Sequence, residues 1–199
     1  MNFDEFINTT YQHDTFDIID TNTNGTCCYD SILRLLKIYK KVKPNMNTKI
    51  IQSQAVNWII KNKNLYLSDF DLTIEDFVLF THNLYSFQEY IDTYKIYSGK
   101  NDVSITNNRW GGTPELIALS HIYNININIY TGNSYDKNRN KIIKGTIVYN
   151  KPRKDFRFKL LLNTNNNFKH NDPNSFNILY TRYKNNSSHF DALLKKKNI

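Results

Sequence analysis

The hydrophobic period of this chain changes near residue 124, and that change restricts it to a mixed architecture. Before that point apolar residues recur at helical spacing. Ile32, Leu35, Leu36 and Tyr39 form one stripe, Ile51, Ala55, Trp58 and Ile59 a second, and Phe87, Tyr90, Ile91 and Tyr94 a third. Start signals accompany them. Thr73 is placed to cap a short helix through Phe80, and Ser86 with Glu89 three residues later reads as a capping box. Thr113-Pro114-Glu115 supplies a cap, a proline in the first turn and an acid at the positive end of the dipole, opening a helix to about Tyr123. Beyond it, Ile125, Ile127 and Ile129 alternate with Asn126 and Asn128, the pattern of a half-buried strand. Further strands are predicted at 142–149, 156–162, 176–183 and 189–194, with the Asn-rich stretch 163–167 and the polar stretch 169–175 read as exposed loop. A helical layer followed by a mostly sequential sheet, antiparallel or mixed, is an α+β fold.

A chain of 199 residues can bury one core without metals or disulfides. The expected organisation is an N-terminal extension at 1–16 and a single domain at 17–199. The two cysteines, Cys27 and Cys28, are adjacent, which disfavours a disulfide between them and is too few for a structural zinc site. That usage fits a reducing compartment, so a cytoplasmic protein is expected. The start, Met1 to Glu5, lacks a basic and apolar leader, and no apolar run is long enough to span a bilayer. The net charge of +8 raises nucleic acid as a partner, with Tyr and Phe side chains stacking on bases. Against it, the lysines are scattered and the aromatics fall at core spacings. Lys195, Lys196 and Lys197 read as a solvated tail, so no nucleic acid is expected. The abundance of Asn, Lys and Ile points to an AT-rich genome.

The chemistry concentrates in two short segments. In the first, turn residues Asn24-Gly25-Thr26 precede Cys27 and an amphipathic helix. A cysteine at a helix N-terminus meets backbone N–H groups and the positive dipole end, both of which favour thiolate. The same N–H groups, with those of Asn24, Gly25 and Thr26, can receive an oxyanion. Cys28, one residue further into the helix, reads as the buried member of the pair. In the second segment, His189-Phe190-Asp191 on a strand puts the imidazole and the carboxylate on one face. The carboxylate can then fix the tautomer and leave the other ring nitrogen for a thiol. His13, His82, His121 and His170 have no comparable neighbour in sequence.

These segments resemble the ovarian-tumour (OTU) class of cysteine proteases, the OTU deubiquitinases. That family carries an Asp-Gly-x-Cys box opening a helix, a Trp-Gly-Gly segment leading into a Glu-Leu-x-Ala-Leu-Ser helix, and a C-terminal His-Tyr-Asp-like strand. Here the counterparts are Asn24-Gly25-Thr26-Cys27, Trp110-Gly111-Gly112 with Glu115-Leu116-Ile117-Ala118-Leu119-Ser120, and His189-Phe190-Asp191. The resemblance runs across roughly 17–194. It departs at Asn24, where Asp is usual, at Cys28, where a larger apolar residue is usual, and at Phe190, which keeps the ring of the commoner Tyr without its hydroxyl. The resemblance implies a papain-like α+β fold and hydrolysis of the bond after the Gly-Gly tail of ubiquitin or a ubiquitin-like modifier. It assigns Cys27 as nucleophile, His189 as general base, Asp191 as the residue that orients it, and the 24–26 turn as the lining of the oxyanion hole. Trp110, Gly111 and Gly112 would be structural, the glycines allowing a tight turn and the tryptophan anchoring the core. It implies no metal and no organic cofactor, with ubiquitin or polyubiquitin chains as partner of a monomeric enzyme. The size and codon bias fit a virus or an intracellular bacterium, whose enzyme would act in the host cytoplasm. The alternative is a module of the same fold that binds ubiquitin without cleaving it, supported by Asn24.

Overall fold

The computed structural model describes residues 10–12, 16–21, 25–68, 70–98, 111–135, 141–142, 157–163, 174–182 and 188–195. Within these lie strands β1 (Thr10–Gln12) and β2 (Phe16–Ile19), then helices α1 (Cys27–Ile38) and α2 (Thr48–Lys61). A small antiparallel pair follows, β3 (Tyr66–Leu67) and β4 (Leu72–Thr73), then α3 (Ile74–His82), α4 (Phe87–Ser98) and α5 (Thr113–Tyr123). The remaining strands are β5 (Asn126–Tyr135), β6 (Lys141–Ile142), β7 (Arg157–Asn163), β8 (Ser175–Arg182) and β9 (Ser188–Lys195). The fold is α+β, as the change of period predicts.

The helix ends follow local chemistry. Asn47 caps α2 by accepting from the N–H of Ile50, and Thr73 and Asp76 form a reciprocal capping box at α3. Asn83 and Asn124 end α3 and α5 in the left-handed region, which Asn tolerates better than most residues. Two starts differ from the sequence reading. At α4 the hydroxyl of Ser86 accepts from the N–H of Glu89, but the Glu89 carboxylate takes the N–H of Tyr85 instead of that of Ser86. At α5 the cap is Gly112, not Thr113, and the carboxylate of Glu115 accepts the Gly112 N–H at 2.7 Å.

The main sheet has the order β1-β7-β5-β8-β9-β2, with β6 on β5. The β5–β8 pair is parallel and the other pairs are antiparallel. The sheet is therefore less sequential than expected, because the two N-terminal strands lie at its opposite edges. Thr10–Gln12, within the segment read as an extension, pairs with β7, and Phe16–Ile19 pairs with β9. The sheet curls enough for the ring of Phe16 on β2 to reach Tyr130 on β5, 5.3 Å between centroids, although β8 and β9 lie between them. Helix α1 packs on β9, and α2 packs on α5. The core joins Ile32, Leu35 and Leu36 to Ile51, Ile59, Leu116, Ile127, Phe176 and Ala192.

One expectation about β5 is overturned. Asn126 and Asn128, read as the wet face of a half-buried strand, are both fully buried. Burying an amide is tolerable when its polar atoms are paired. Asn126 donates to Asn128 and to Ser175, and Asn128 donates to Asn177, so the polar residues of β5 and β8 pair with one another across the parallel pair, with only Oδ1 of Asn126 lacking a partner among the described residues. The predicted strand at 142–149 is described only at Lys141–Ile142. Residues 164–167 and 169–173 of the predicted loop, Lys196 and Lys197, His13 and His170, Asn24 and Trp110 lie outside the described residues.

Candidate active site

The sequence builds the site by register. Strand β2 runs antiparallel to β9 with Ile19 opposite Ala192, so the chain leaving β2 passes the start of β9 before it turns into α1. Gly25 makes that turn with φ 83, a left-handed conformation that glycine adopts without a steric penalty. Thr26 occupies the N-cap position and Cys27 is the first residue of α1, as predicted. On β9, His189 and Asp191 share one face, while Phe190 and Ala192 on the other join the core.

His189 and Asp191 are 97% buried, with Nε2 of the ring 3.0 Å from Oδ1 of the carboxylate. The ring also hydrogen-bonds the Cys27 side chain. Because Nε2 serves Asp191, Nδ1 is the nitrogen left for sulfur. Burial by itself would lower the pKa of His189. The hydrogen bonds to Asp191 and Cys27 and the negative charges of both outweigh it and raise the pKa to about 9. The three residues named from sequence are therefore brought together around the His189 ring.

A family profile described as OTU-like cysteine protease matches residues 22–170, most of the chain. The chain belongs to this OTU family. Similar solved structures include the Hazara virus OTU bound to ubiquitin, at 16% identity and TM-score 0.49 over 96% of this chain and 89% of that one. They also include an OTU deubiquitinase from Wolbachia pipientis bound to ubiquitin, at 14% identity and TM-score 0.47 over 92% and 97% of the two chains. The viral OTU domain protease from Farallon virus is similar at 16% identity and TM-score 0.44, over 96% and 91%. A comparison with curated proteins finds no match.

The sequence favours Cys28 as the buried member of the pair, but both cysteines of this OTU chain are buried, Cys27 at 2% exposure. Cys28 is fully buried, and burial raises its thiol pKa well above the ordinary value, helped by the nearby charges of Cys27 and Glu115. Both cysteines are free. Among the described residues no group of three or more His, Cys, Asp or Glu side chains is arranged to hold a metal ion. No helix among them is long and apolar enough to cross a membrane.

Gly111 packs closely against the cysteine helix. A Cβ on Gly111 would lie 2.8 Å from the Tyr29 ring and 3.1 Å from Cβ of Cys28. Gly112 is extended, with φ −126, and Gly111 is required by close approach. Glu115, buried behind that contact, accepts from Tyr90 and from the Gly112 N–H, and bonds His82 Nε2 at 3.0 Å. His82 thus has a carboxylate partner that the sequence reading did not assign it, because the pairing crosses from α3 to α5. His121 stacks on Trp58, 4.9 Å between centroids.

Thr21 is the site residue that sequence reasoning missed. Its backbone N–H donates to Asp191 Oδ1 at 3.0 Å, and its hydroxyl donates to the Phe190 carbonyl and lies 3.3 Å from His189 Nε2. A threonine six residues before a cysteine carries no sequence signal. Only the β2–β9 register places it there.

Proposed function

We propose that this OTU-family chain is a deubiquitinating cysteine protease that hydrolyses the peptide or isopeptide bond after the C-terminal Gly-Gly of ubiquitin or a ubiquitin-like modifier. The observation that carries the reading is His189 hydrogen-bonded to both Cys27 and Asp191 in a member of a cysteine protease family. Cys27 is the nucleophile, His189 the general base and Asp191 the residue that holds the ring in its tautomer. The resemblance in sequence supplies the substrate class.

In this reaction Nδ1 of His189 takes the proton from Cys27, and the thiolate attacks the carbonyl carbon of the modifier's terminal glycine. Backbone N–H groups of the 24–26 turn and the start of α1 receive the oxyanion. The imidazolium returns its proton to the departing lysine amine as the C–N bond breaks. Water, deprotonated by the same ring, hydrolyses the thioester and regenerates the thiol. The ring must accept and donate at one nitrogen while the other stays bound to Asp191, which is the arrangement described above. Two free cysteines suit a reducing compartment such as the cytoplasm, where the enzyme would act as a monomer.

The test is incubation with di-ubiquitins of each linkage and with ubiquitin-like precursors. Cleavage to single modifiers by the wild type, absent in Cys27→Ala and His189→Ala, supports the reading. Failure to cleave any of these substrates, while the protein still binds ubiquitin, would replace it with the binding-only alternative.

A further inference from the structure

We infer that Thr21 is a positioning residue of this site, a second acceptor for the Nε2–H of His189 and the donor that fixes Asp191. The inference rests on the proposed reaction and adds to it a residue outside the Cys-His-Asp set.

The register makes the placement inherent in the fold. Ile19 of β2 faces Ala192 of β9, so two residues further along the same antiparallel pairing Thr21 stands opposite Phe190, between His189 and Asp191. All three polar residues are more than nine-tenths buried, so bulk water is not at hand to replace a lost partner. Proton accounting then assigns the roles. A hydroxyl has one proton and a backbone carbonyl has none. The short contact from Thr21 Oγ1 to the Phe190 oxygen must therefore contain the hydroxyl proton. With that proton committed, Oγ1 presents lone pairs to Nε2 at 3.3 Å and cannot donate to Asp191 Oδ1, 3.4 Å away.

Nε2 must accordingly carry hydrogen, shared between Asp191 Oδ1 at 3.0 Å and Thr21 Oγ1. The tautomer with Nε2 protonated and Nδ1 bare is the one that can take a proton from Cys27. The Thr21 N–H meanwhile holds the same Oδ1 from a second side. Thr21 also lies on the short connection leading into Cys27, so it couples the base strand to the cysteine turn.

Thr21→Val keeps the shape and the backbone N–H but removes the hydroxyl, and Thr21→Ser keeps the hydroxyl. Three readouts apply: kcat and KM on a fluorogenic ubiquitin substrate, the alkylation rate of Cys27 by iodoacetamide with Cys27→Ala as the blank, and the 15N spectrum of the His189 ring. Thr21→Val is expected to lower kcat about tenfold or more with little change in KM, the scale of one lost hydrogen bond to a charged group. Alkylation should slow in parallel, and in 15N spectra recorded above pH 9, where the ring is neutral, it should lose its single Nε2-protonated tautomer. Thr21→Ser should restore the rate and the tautomer. Unchanged kcat, alkylation and tautomer in Thr21→Val would overturn the inference, as would equal impairment of the Ser and Val variants. A wild type that alkylates readily but cleaves no ubiquitin substrate would refute the proposed function alone, and the alkylation and 15N readouts would still decide the role of Thr21.

Discussion

Gly111 lies so close to Tyr29 that a methyl group on its Cα would stand 2.8 Å from the phenol ring. Tyr29 is buried two residues after Cys27, so the contact braces the helix that presents the sulfur. Gly111→Ala should lower stability by about 1–3 kcal/mol, the usual cost of overpacking. It should also reduce activity by displacing the start of α1. Gly112→Ala meets nothing closer than 3.7 Å and should be milder in both respects. Denaturant unfolding of the two variants beside the wild type checks the ordering.

The pH dependence follows from His189. Its pKa is raised to about 9, so once the ring has taken the Cys27 proton it holds that proton through neutral pH as the imidazolium of an ion pair, and loses it as pH rises through that value. Activity should fall on an alkaline limb near pH 9. The same sign applies to stability: the contribution is complete below the ordinary histidine value of 6.5 and disappears as pH rises through about 9. Asp191→Asn removes the carboxylate charge, so its alkaline limb should move to lower pH and its kcat should drop about 100-fold, the scale of one hydrogen bond to a charged group. A kcat/KM profile against pH for both proteins measures this.

Glu115 sets the acid limit. Burial would raise its pKa, but the charge and hydrogen bond of His82, with donors from Gly112 and Tyr90, outweigh that and hold it at about 2. A depressed carboxyl stabilises the fold above its unfolded value of 4.5, and that contribution is lost as pH falls through about 2. Glu115→Gln should therefore cost a few kcal/mol at pH 7 and leave a smaller further loss between pH 4.5 and 2. Thermal unfolding across that range compares the two.

Cys28 should be silent in the native state. Its thiol is fully buried, and burial pushes its pKa up. Cys28→Ala should keep activity and lose about 1 kcal/mol of stability from the small space left behind. Cys27→Ala should remove activity with the fold intact. Peptide mapping after alkylation should find label on Cys27 in native protein and on both cysteines only in denaturant.

The sequence displayed what depends on local pattern. Cys27 could be placed at a helix start because turn residues precede it and an apolar stripe follows, and His189 with Asp191 because a strand has period two. Pairings between distant segments were invisible. Nothing adjacent to Thr21 shows that β2 will pair with β9, nor does the neighbourhood of His82 show that α3 will meet Glu115. Alternation reports apolar periodicity, so it assigns Asn126 and Asn128 to a solvent face. Whether the polar face is covered depends on partners, here Ser175 and Asn177 on a strand far along the chain.

The central claim is tested most directly by mixing the purified protein with ubiquitin bearing an electrophile at its C-terminus and recording the intact mass. The account predicts a one-to-one covalent adduct, mapped to Cys27, retained in Cys28→Ala and absent in Cys27→Ala. An adduct that persists in Cys27→Ala, or no adduct from the folded wild type with ubiquitin or any ubiquitin-like modifier, would contradict it.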